Sequence, residues 1–161
     1  MKIFKSINKC RVSKKKDLVS VFKFPNFYLT GIFPNKKQKI LKTPFEVIFS
    51  KSSKLLQLKH NYDQKLLYGE NYGYRSSLNP VMVKHLKQKY FILEKKLGLI
   101  KSDNFLDIGS NDSTFLNFSK SKRYGVDPSI KKFIRYYNKN TNVYIDTFEN
   151  AFLKLKNVKF K

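Results

Sequence analysis

The stretch Leu106-Asp107-Ile108-Gly109-Ser110-Asn111-Asp112-Ser113-Thr114-Phe115-Leu116 decides the fold class. A short apolar strand, Asn104–Ile108, ends at Gly109, and a helix is predicted to begin at Ser113 and to reach Phe118. Backbone N–H groups at such a helix start, together with the close approach that glycine allows, can hold a small ligand. The stretch therefore predicts a strand–turn–helix unit with a ligand site in its turn.

The alternation of strand and helix continues toward the C-terminus. A second strand is predicted at Arg123–Val126, a third at Asn142–Ile145 and the start of a fourth at Val158–Phe160. Pro128 opens a helix with apolar residues at i, i+3, i+4 and i+7, and Asp146–Glu149 has the spacing of a capping box before a last helix. The alternation predicts an α/β fold with helices on the faces of a parallel sheet.

Asp127 stands at the tip of the second strand, twenty residues after Asp107. An acidic residue there can accept both ribose hydroxyls of an adenosine ligand. Dinucleotide binding is disfavoured because G-x-G-x-x-G is absent: Asn111 and Ser113 occupy the alternate positions after Gly109. That spacing favours S-adenosylmethionine, which has no pyrophosphate to hold. The alternative is that Asp107 and Asp127 only cap helices.

The residues before this sheet predict one long helix and a strand-rich region. Asn79 can cap a helix that starts at Pro80 and ends before Gly98, with one apolar face. That face is formed by Met82, Leu86, Tyr90, Leu93 and Leu97. Strands are predicted at Leu18–Phe22, Phe45–Phe49 and Leu55–Leu58, in a region too short and interrupted to fold strongly without a metal or similar support.

The composition is strongly basic, with 34 Lys and Arg against 11 Asp and Glu and a net charge of +23. Phosphate neutralisation is one explanation. The other is a genome rich in A and T, because Lys, Asn, Ile, Phe and Tyr are all frequent and the lysines are spread along the chain. A single cysteine excludes an internal disulfide, and the absence of a secretory signal or apolar span predicts a cytoplasmic protein with no membrane association.

Several stretches together resemble the sugar C-methyltransferases, which carry a zinc-binding domain ahead of a class I methyltransferase domain. The likeness covers nearly the whole chain in order. It lies in Lys9–Arg11, Leu29–Pro34, Gln57-Leu58, Tyr68–Asn79, Met82–Leu86, Asp107–Asp112 and Gly125–Ser129.

The resemblance implies a small β-rich N-terminal domain followed by an incomplete Rossmann-like sheet of the class I methyltransferase type. The domains are then residues 1–60, degenerate and zinc-binding-like; 61–98, a linker loop and helix; and 99–161, the S-adenosylmethionine-binding part. The implied activity is that of an S-adenosylmethionine-dependent C-methyltransferase acting on nucleotide-linked 4-keto-deoxysugars. In the family, a base removes the proton alpha to the sugar ketone, and the enolate attacks the sulfonium methyl group.

The zinc ligands of the family, two C-x-x-C pairs, correspond here to Cys10, Ser13, Ser50 and Ser53. Hydroxyls are hard, protonated ligands that bind zinc poorly at neutral pH. We therefore expect no zinc, and we hypothesise that hydrogen bonds among the serines partly replace it.

The resemblance also assigns the site residues. The cofactor-binding set is Asp107, Gly109, Ser110, Asn111, Asp112 and Asp127. The catalytic candidates are Tyr72, Tyr74 and His85, although a histidine on such a helix is more often a packing or capping residue, and tyrosines in the linker can simply cover a core.

Two further departures leave alternatives open. Ser113 stands where the family usually has glycine, and the sequence ends near the fourth of about seven expected strands. We expect a truncated or split form whose missing half is supplied by a separate chain. The alternatives are a small basic protein that binds single-stranded nucleic acid through Lys and stacked aromatic residues, and a non-catalytic scaffold or pseudoenzyme.

Overall fold

The computed structural model describes residues 3–29, 36–37, 39–68 and 72–161. Residues 30–34 and 69–71, which belong to two stretches of the resemblance, lie outside these ranges. The chain forms two compact units, residues 1–73 and 74–161. Each unit is described by itself below.

The first unit is built from antiparallel strands. Strands β1 (Phe4–Ser6) and β5 (His60–Tyr62) pair with each other. Strands β2 (Leu18–Tyr28), β3 (Lys42–Ser50) and β4 (Leu56–Leu58) form a second sheet in that order. A five-residue helix, α1 (Gln64–Tyr68), follows them. The three predicted strands are confirmed, although β2 and β3 are longer than predicted.

Strand β2 extends through Pro25 because it lies at the edge of its sheet, where a missing N–H removes no ladder bond. Its register shifts between Ser20 and Phe22 and again between Phe24 and Phe27, as β-bulges do. These irregularities make a long edge strand a poorer template for pairing with another chain.

One side of this sheet carries an aromatic face, which we define as Phe22, Phe24, Phe27 and Phe45. The ring centroids of Phe24 lie 4.0 Å from Phe22, 5.4 Å from Phe27 and 5.4 Å from Phe45. Phe22 remains 51% exposed and Phe27 47% exposed. The opposite side contains the buried Ile48 and Ser50, so the core of this unit lies on that side.

The second unit begins with a 3-10 turn (Ser76–Leu78), which was not predicted, and the long helix α2 (Pro80–Leu97), which was. The Asn79 side chain accepts hydrogen bonds from the backbone N–H groups of Val81 and Met82. Gly98 ends the helix in the left-handed conformation, with φ 57°. Of the predicted apolar face only Tyr90 is fully buried, while Leu97 is 38% exposed.

The parallel sheet is also confirmed. Strands β6 (Asn104–Ile108), β7 (Lys122–Val126) and β8 (Thr141–Tyr144) pair in parallel and lie in that order. The last helix, α4 (Phe148–Leu155), follows β8. This is a mixed α/β arrangement compatible with part of a Rossmann-like fold, and all three strands end at the same edge.

Several local predictions in this unit were wrong. The helix predicted from Ser113 to Phe118 is a loop that ends in a 3-10 turn, Leu116–Phe118. The helix after Pro128 is shortened to α3 (Ile130–Phe133) and a 3-10 turn, Ile134–Tyr136. In both segments, hydrogen bonds to residues distant in the sequence compete with the i to i−4 backbone bonds that a longer helix would need.

Two predictions at the C-terminal end also fail in part. The N-cap of α4 is Thr147, which makes no side-chain capping bond, and not Asp146, the first residue of the predicted capping box. Asp146 Oδ1 accepts from the Thr147 N–H and the Asn150 side-chain amide. The predicted strand Val158–Phe160 does not form a ladder. The segment nevertheless runs beside β6, where Asn104 accepts a hydrogen bond from the Lys161 backbone N–H.

Gly125 allows the core of the sheet to close. Tyr90, Phe105, Leu116, Ile130 and Tyr137 form that core. A Cβ at Gly125 would lie 2.9 Å from Ser110 Oγ and 3.0 Å from both Leu116 Cδ1 and Tyr137 Cε1. Side chains must therefore approach the bare backbone of β7.

We expect Gly125→Ala to lower the free energy of unfolding by about 1–3 kcal/mol through overpacking. Urea denaturation measures this change. Ser102→Ala, at an exposed position, is the control and should lie within about 0.5 kcal/mol of the wild type. An unchanged midpoint for Gly125→Ala would show that the neighbouring side chains move aside freely.

Candidate functional site

The loop after β6 contains the left-handed positions that replace the predicted helix. Gly109 has φ 79°, Asn111 has φ 47° and Ser113 has φ 66°. The N–H groups of Gly109 and Ser110 both donate to the carbonyl of Val126, which ties the loop to the end of β7. The loop therefore wraps over the strand ends instead of starting a helix.

Ser113 occupies a backbone conformation that favours glycine. A non-glycine residue in this region costs roughly 1–2 kcal/mol. Its hydroxyl donates to Asn117 Oδ1 over 3.1 Å, and the residue is fully buried. That hydrogen bond offsets part of the strain, so the departure from glycine is accommodated in the loop.

A cavity of about 230 Å³ lies at the carboxyl end of β6. The strand and its loop contribute Asp107, Gly109, Ser110, Asn111, Thr114 and Phe115 to its lining. Ser76 and two residues of α2, Leu86 and Lys89, complete it. Ligands of open α/β sheets bind at this end of the strands, so the cavity is the candidate site.

Two charged residues line this cavity, Lys89 and Asp107, and Asp107 is the acidic one. Its carboxylate makes no hydrogen bond or ion pair with any residue in the described ranges. Burial, reinforced by the negative charge of Asp127, raises the pKa of Asp107 to about 7. The carboxylate can thus change its charge near neutral pH, and a cation in the cavity would stabilise its ionised form.

Asn111 connects the loop to the segment before α2. Its side-chain oxygen accepts from the Ser76 backbone N–H over 3.0 Å, and its side-chain nitrogen donates to the Tyr74 carbonyl over 3.1 Å. Its own N–H donates to Asp127 Oδ2 over 3.0 Å. Asn111 therefore lines the cavity and also holds the segment of Tyr74 and Ser76 in place beside it.

Asp112 is buried beneath the loop and does not line the cavity. Burial alone would raise its pKa, but hydrogen bonds from Ser77 and Thr114 outweigh burial and lower the pKa of this carboxyl. Arg75 Nε lies 3.5 Å from Asp112 Oδ2. The structural role of Asp112 is to hold the segment before α2 against the loop.

Asp127 is engaged by the protein itself. It accepts hydrogen bonds from the Asn111 N–H and from both the N–H and the hydroxyl of Ser129, the last two at 2.6 Å. It lies outside the lining of the cavity. The bonds from Ser129 form a local turn before α3, whose N-cap is Ser129 and which has no side-chain cap, so Asp127 is not the N-cap of that helix. The remaining lone pairs of its oxygens can still accept a ribose hydroxyl.

Of the three catalytic candidates, the two that belong to the second unit, Tyr74 and His85, do not line the cavity. Tyr72 belongs to the first unit, where its ring contacts Tyr68 at 5.5 Å. Tyr74 is 45% exposed and contributes its carbonyl to Asn111. His85 is exposed on α2, and it is the next residue, Leu86, that lines the cavity.

Sequence reasoning missed two polar residues of this site. Lys89 lines the cavity, but no pattern distinguishes it from the other lysines of α2. Tyr137 is the last residue of the apolar i, i+3, i+4, i+7 pattern that predicted a helix after Pro128. Its buried hydroxyl donates to the Asn111 carbonyl and shares a hydrogen bond with Ser110 Oγ, and burial raises the pKa of Tyr137.

The degenerate zinc positions lie in two turns of the same geometry in the first unit. Lys14 N–H donates to the Cys10 carbonyl over 3.0 Å, and Lys54 N–H donates to the Ser50 carbonyl over 2.9 Å. Lys14 and Lys54 both adopt left-handed conformations, with φ 59° and 58°. The turns are residues 10–13 and 50–53, and the first and fourth side chains of one turn lie near those of the other. Cys10 Sγ lies 3.1 Å from Ser53 Oγ.

Hydrogen bonds connect the two turns. The hydroxyl of Ser52 donates to Ser13 Oγ over 3.0 Å, and that of Ser50 donates to Asp17 Oδ1 over 3.0 Å. Hydrogen bonding from Ser53, opposed by burial and aided by Ser13 and Ser50, lowers the pKa of Cys10 to about 5. Ser52 and Asp17 were not foreseen as members of this cluster.

This donor set does not fit zinc. One thiolate and three hydroxyls lack the four soft or borderline ligands of a structural site. Within the described ranges, no group of three or more His, Cys, Asp or Glu residues is placed to hold a metal ion.

No protein-family model matches the chain, and no curated protein matches it. None of the helices in the described ranges has the length and apolar character needed to cross a membrane.

Proposed function

We propose that the second unit binds S-adenosylmethionine and that the chain serves an S-adenosylmethionine-dependent C-methyltransferase acting on nucleotide-linked 4-keto-deoxysugars. The observation that carries this proposal is the cavity at the end of β6, whose lining includes the Asp107 carboxylate, for which the described part of the chain provides no partner. The methyltransferase type of the fold is part of the same proposal.

The residues present fit the charged end of this cofactor. Its sulfonium and ammonium groups are cations and its carboxylate is an anion, while the cavity is lined by one acidic residue, Asp107, and one basic residue, Lys89. An ionised Asp107 would stabilise the cations, and Lys89 would stabilise the carboxylate. An added Cβ on Gly109 would have no neighbour within 4 Å, so the space above this residue is open. The volume of about 230 Å³ is below the ~300–1,000 Å³ of whole-ligand pockets, which suits one end of the cofactor.

The bound cofactor would supply an electrophilic methyl group. The residues of the chain would bind and orient it: Asp107 by charge, and the loop at Gly109 and Asn111 by close backbone approach. Asp127 would meet the ribose only through lone pairs not already used by Asn111 and Ser129. Tyr72, Tyr74 and His85 remain candidates for acid–base chemistry on the sugar.

Calorimetric titration of S-adenosylmethionine and S-adenosylhomocysteine into the chain tests the proposal. We expect S-adenosylmethionine to bind at pH 8 and Asp107→Asn to weaken its binding about tenfold, with a smaller loss for S-adenosylhomocysteine, which lacks the sulfonium charge. Asp127→Ala should weaken both ligands because it releases the Asn111 N–H that shapes the loop.

Asp103→Asn is the matched control, since it removes a carboxylate just before the opposite end of β6. It should leave both affinities within about twofold. A folded chain that binds neither ligand would overturn the proposal. Salt-sensitive binding of random oligonucleotides by that same chain would favour the nucleic-acid alternative.

A further inference from the structure

Two guanidinium groups of the second unit meet at one tyrosine. Arg75 Cζ lies 4.1 Å and Arg135 Cζ 4.8 Å from the centroid of the Tyr136 ring. Both guanidinium groups also donate to the Tyr136 hydroxyl oxygen, Arg135 over 2.6 Å. Like charges repel at this separation, so attraction to the ring and its oxygen holds them together.

Of the two arginines in this cluster of Arg75, Arg135 and Tyr136, one is paired with an acidic residue. Arg75 pairs with the buried carboxylate of Asp112 at 3.5 Å. Arg135 is exposed and has no acidic partner among the residues of the described ranges. Arg135 Nε and Nη1 and Arg75 Nη2 likewise have no hydrogen-bond acceptor within those ranges. Two planar groups with unused donors therefore lie beside the same tyrosine.

We propose that Arg75 and Arg135 form a binding site for a phosphate group. Guanidinium forks match the oxygens of a tetrahedral anion, and two of them provide more donors than the single Tyr136 oxygen uses. Tyr136 acts as the spacer that keeps the two cations at this distance before the anion arrives. The site does not depend on methyl transfer.

The position of the site relates it to the cavity described above. Arg75 directly precedes Ser76, which lines the cavity. A ligand that carries a phosphate could place it on the arginines while another part lies in the cavity. A nucleotide is one ligand class with that chemistry, and free inorganic phosphate is the simplest probe.

The test is an NMR titration of the whole chain with inorganic phosphate and then pyrophosphate at constant ionic strength. The guanidinium Nε–H signals of Arg75 and Arg135 report binding. We expect both signals to shift together, with pyrophosphate binding at least as tightly as phosphate. Arg135→Gln should weaken phosphate at least fivefold, and Arg135→Lys should restore part of the loss.

Lys95→Gln, near the end of α2, removes one positive charge elsewhere and should change the affinity by less than twofold. Arg135 is the informative position because Arg75→Gln would also unpair the buried Asp112. Equal losses in Arg135→Gln and Lys95→Gln would mean general attraction to a basic protein and would overturn the proposal. Acetate binding more tightly than phosphate at these signals would overturn the assignment to phosphate.

Discussion

Replacing Ser13, Ser50 and Ser53 together by cysteine is expected to give a chain that binds one zinc ion and resists unfolding. The two turns already place the four side chains toward one point, so four thiolates could form a tetrahedral site with little backbone change. The sulfur–oxygen distance of 3.1 Å between Cys10 and Ser53 would open to the ~3.8 Å that zinc–sulfur bonds of ~2.3 Å require.

The expected gain is large because zinc would bind the folded first unit and not the unfolded chain. Zinc at a thousandfold excess over its dissociation constant adds about 4 kcal/mol to the free energy of unfolding. For a unit of this size we expect a rise of more than about 15 °C in the melting temperature, reversed by a chelator.

Metal analysis and thermal unfolding measure this result. The control variant carries Ser6→Cys, Ser20→Cys and Ser102→Cys, three exposed positions away from the turns, and should take up no stoichiometric zinc. The unchanged chain, measured beside them, should also contain none. A folded Ser13, Ser50 and Ser53 variant without zinc would show that the turns do not hold a tetrahedral arrangement.

Asp107→Asn is expected to stabilise the chain at pH 8 and to change how its stability depends on pH. The pKa of Asp107 rises from 3.8 to about 7 in the folded chain, chiefly through burial. Between these values the folded state binds more protons than the unfolded state, so the contribution of Asp107 to stability falls as pH increases from about 4 to 7. Asparagine removes this contribution.

This pKa shift corresponds to a change of at most about 4 kcal/mol in the free energy of unfolding. Contact with solvent at the cavity lowers the gain that we expect for Asp107→Asn at pH 8 to about 2 kcal/mol. The quantity to measure is the difference in free energy of unfolding between Asp107→Asn and the wild type, from urea titrations at pH 5, 6, 7 and 8. Carboxyls with a lowered pKa, such as Asp103 and Asp112, make stability increase with pH. They are present in both proteins, so their effect cancels in this difference.

The stabilisation by asparagine should increase steadily from pH 5 to about pH 7 and level off above that pH. Asp103→Asn serves again as the control, and it should destabilise the chain because its carboxylate accepts from Ile100 and Lys161. A difference for Asp107→Asn that does not vary with pH would mean that Asp107 ionises normally.

The long helix was predictable because its ends are local. The three residues that define its ends are Asn79, Pro80 and Gly98, and each affects only the backbone within a few residues of its own position. The structure places each of them in its expected role. The strands of the parallel sheet were predictable for a similar reason, since each contains β-forming residues such as Phe, Tyr or Val within a short run that is bounded by turn-forming residues. The loop after β6 was not, because Asn111 and Ser113 take left-handed conformations that tertiary hydrogen bonds stabilise.

The candidate site was predictable in its position but not in the roles of its residues. The acidic residues at the two strand tips were identified from spacing, yet only Asp107 lines the cavity, while Asp127 is engaged by Asn111 and Ser129. The local bond from Ser129, two residues on, could have been anticipated from known turn geometry. The contribution of Lys89 could not, because it depends on where α2 packs.

The aromatic face of the first unit has a consequence for the colloidal behaviour of the protein. Phe22 and Phe27 remain about half exposed on a chain that carries a net charge of +23. In dilute buffer, where electrostatic screening lengths are about 30 Å, mutual repulsion keeps copies apart before such faces can touch. At physiological ionic strength that length shrinks to about 8 Å, so solubility is governed by the ions around the molecule as much as by its surface.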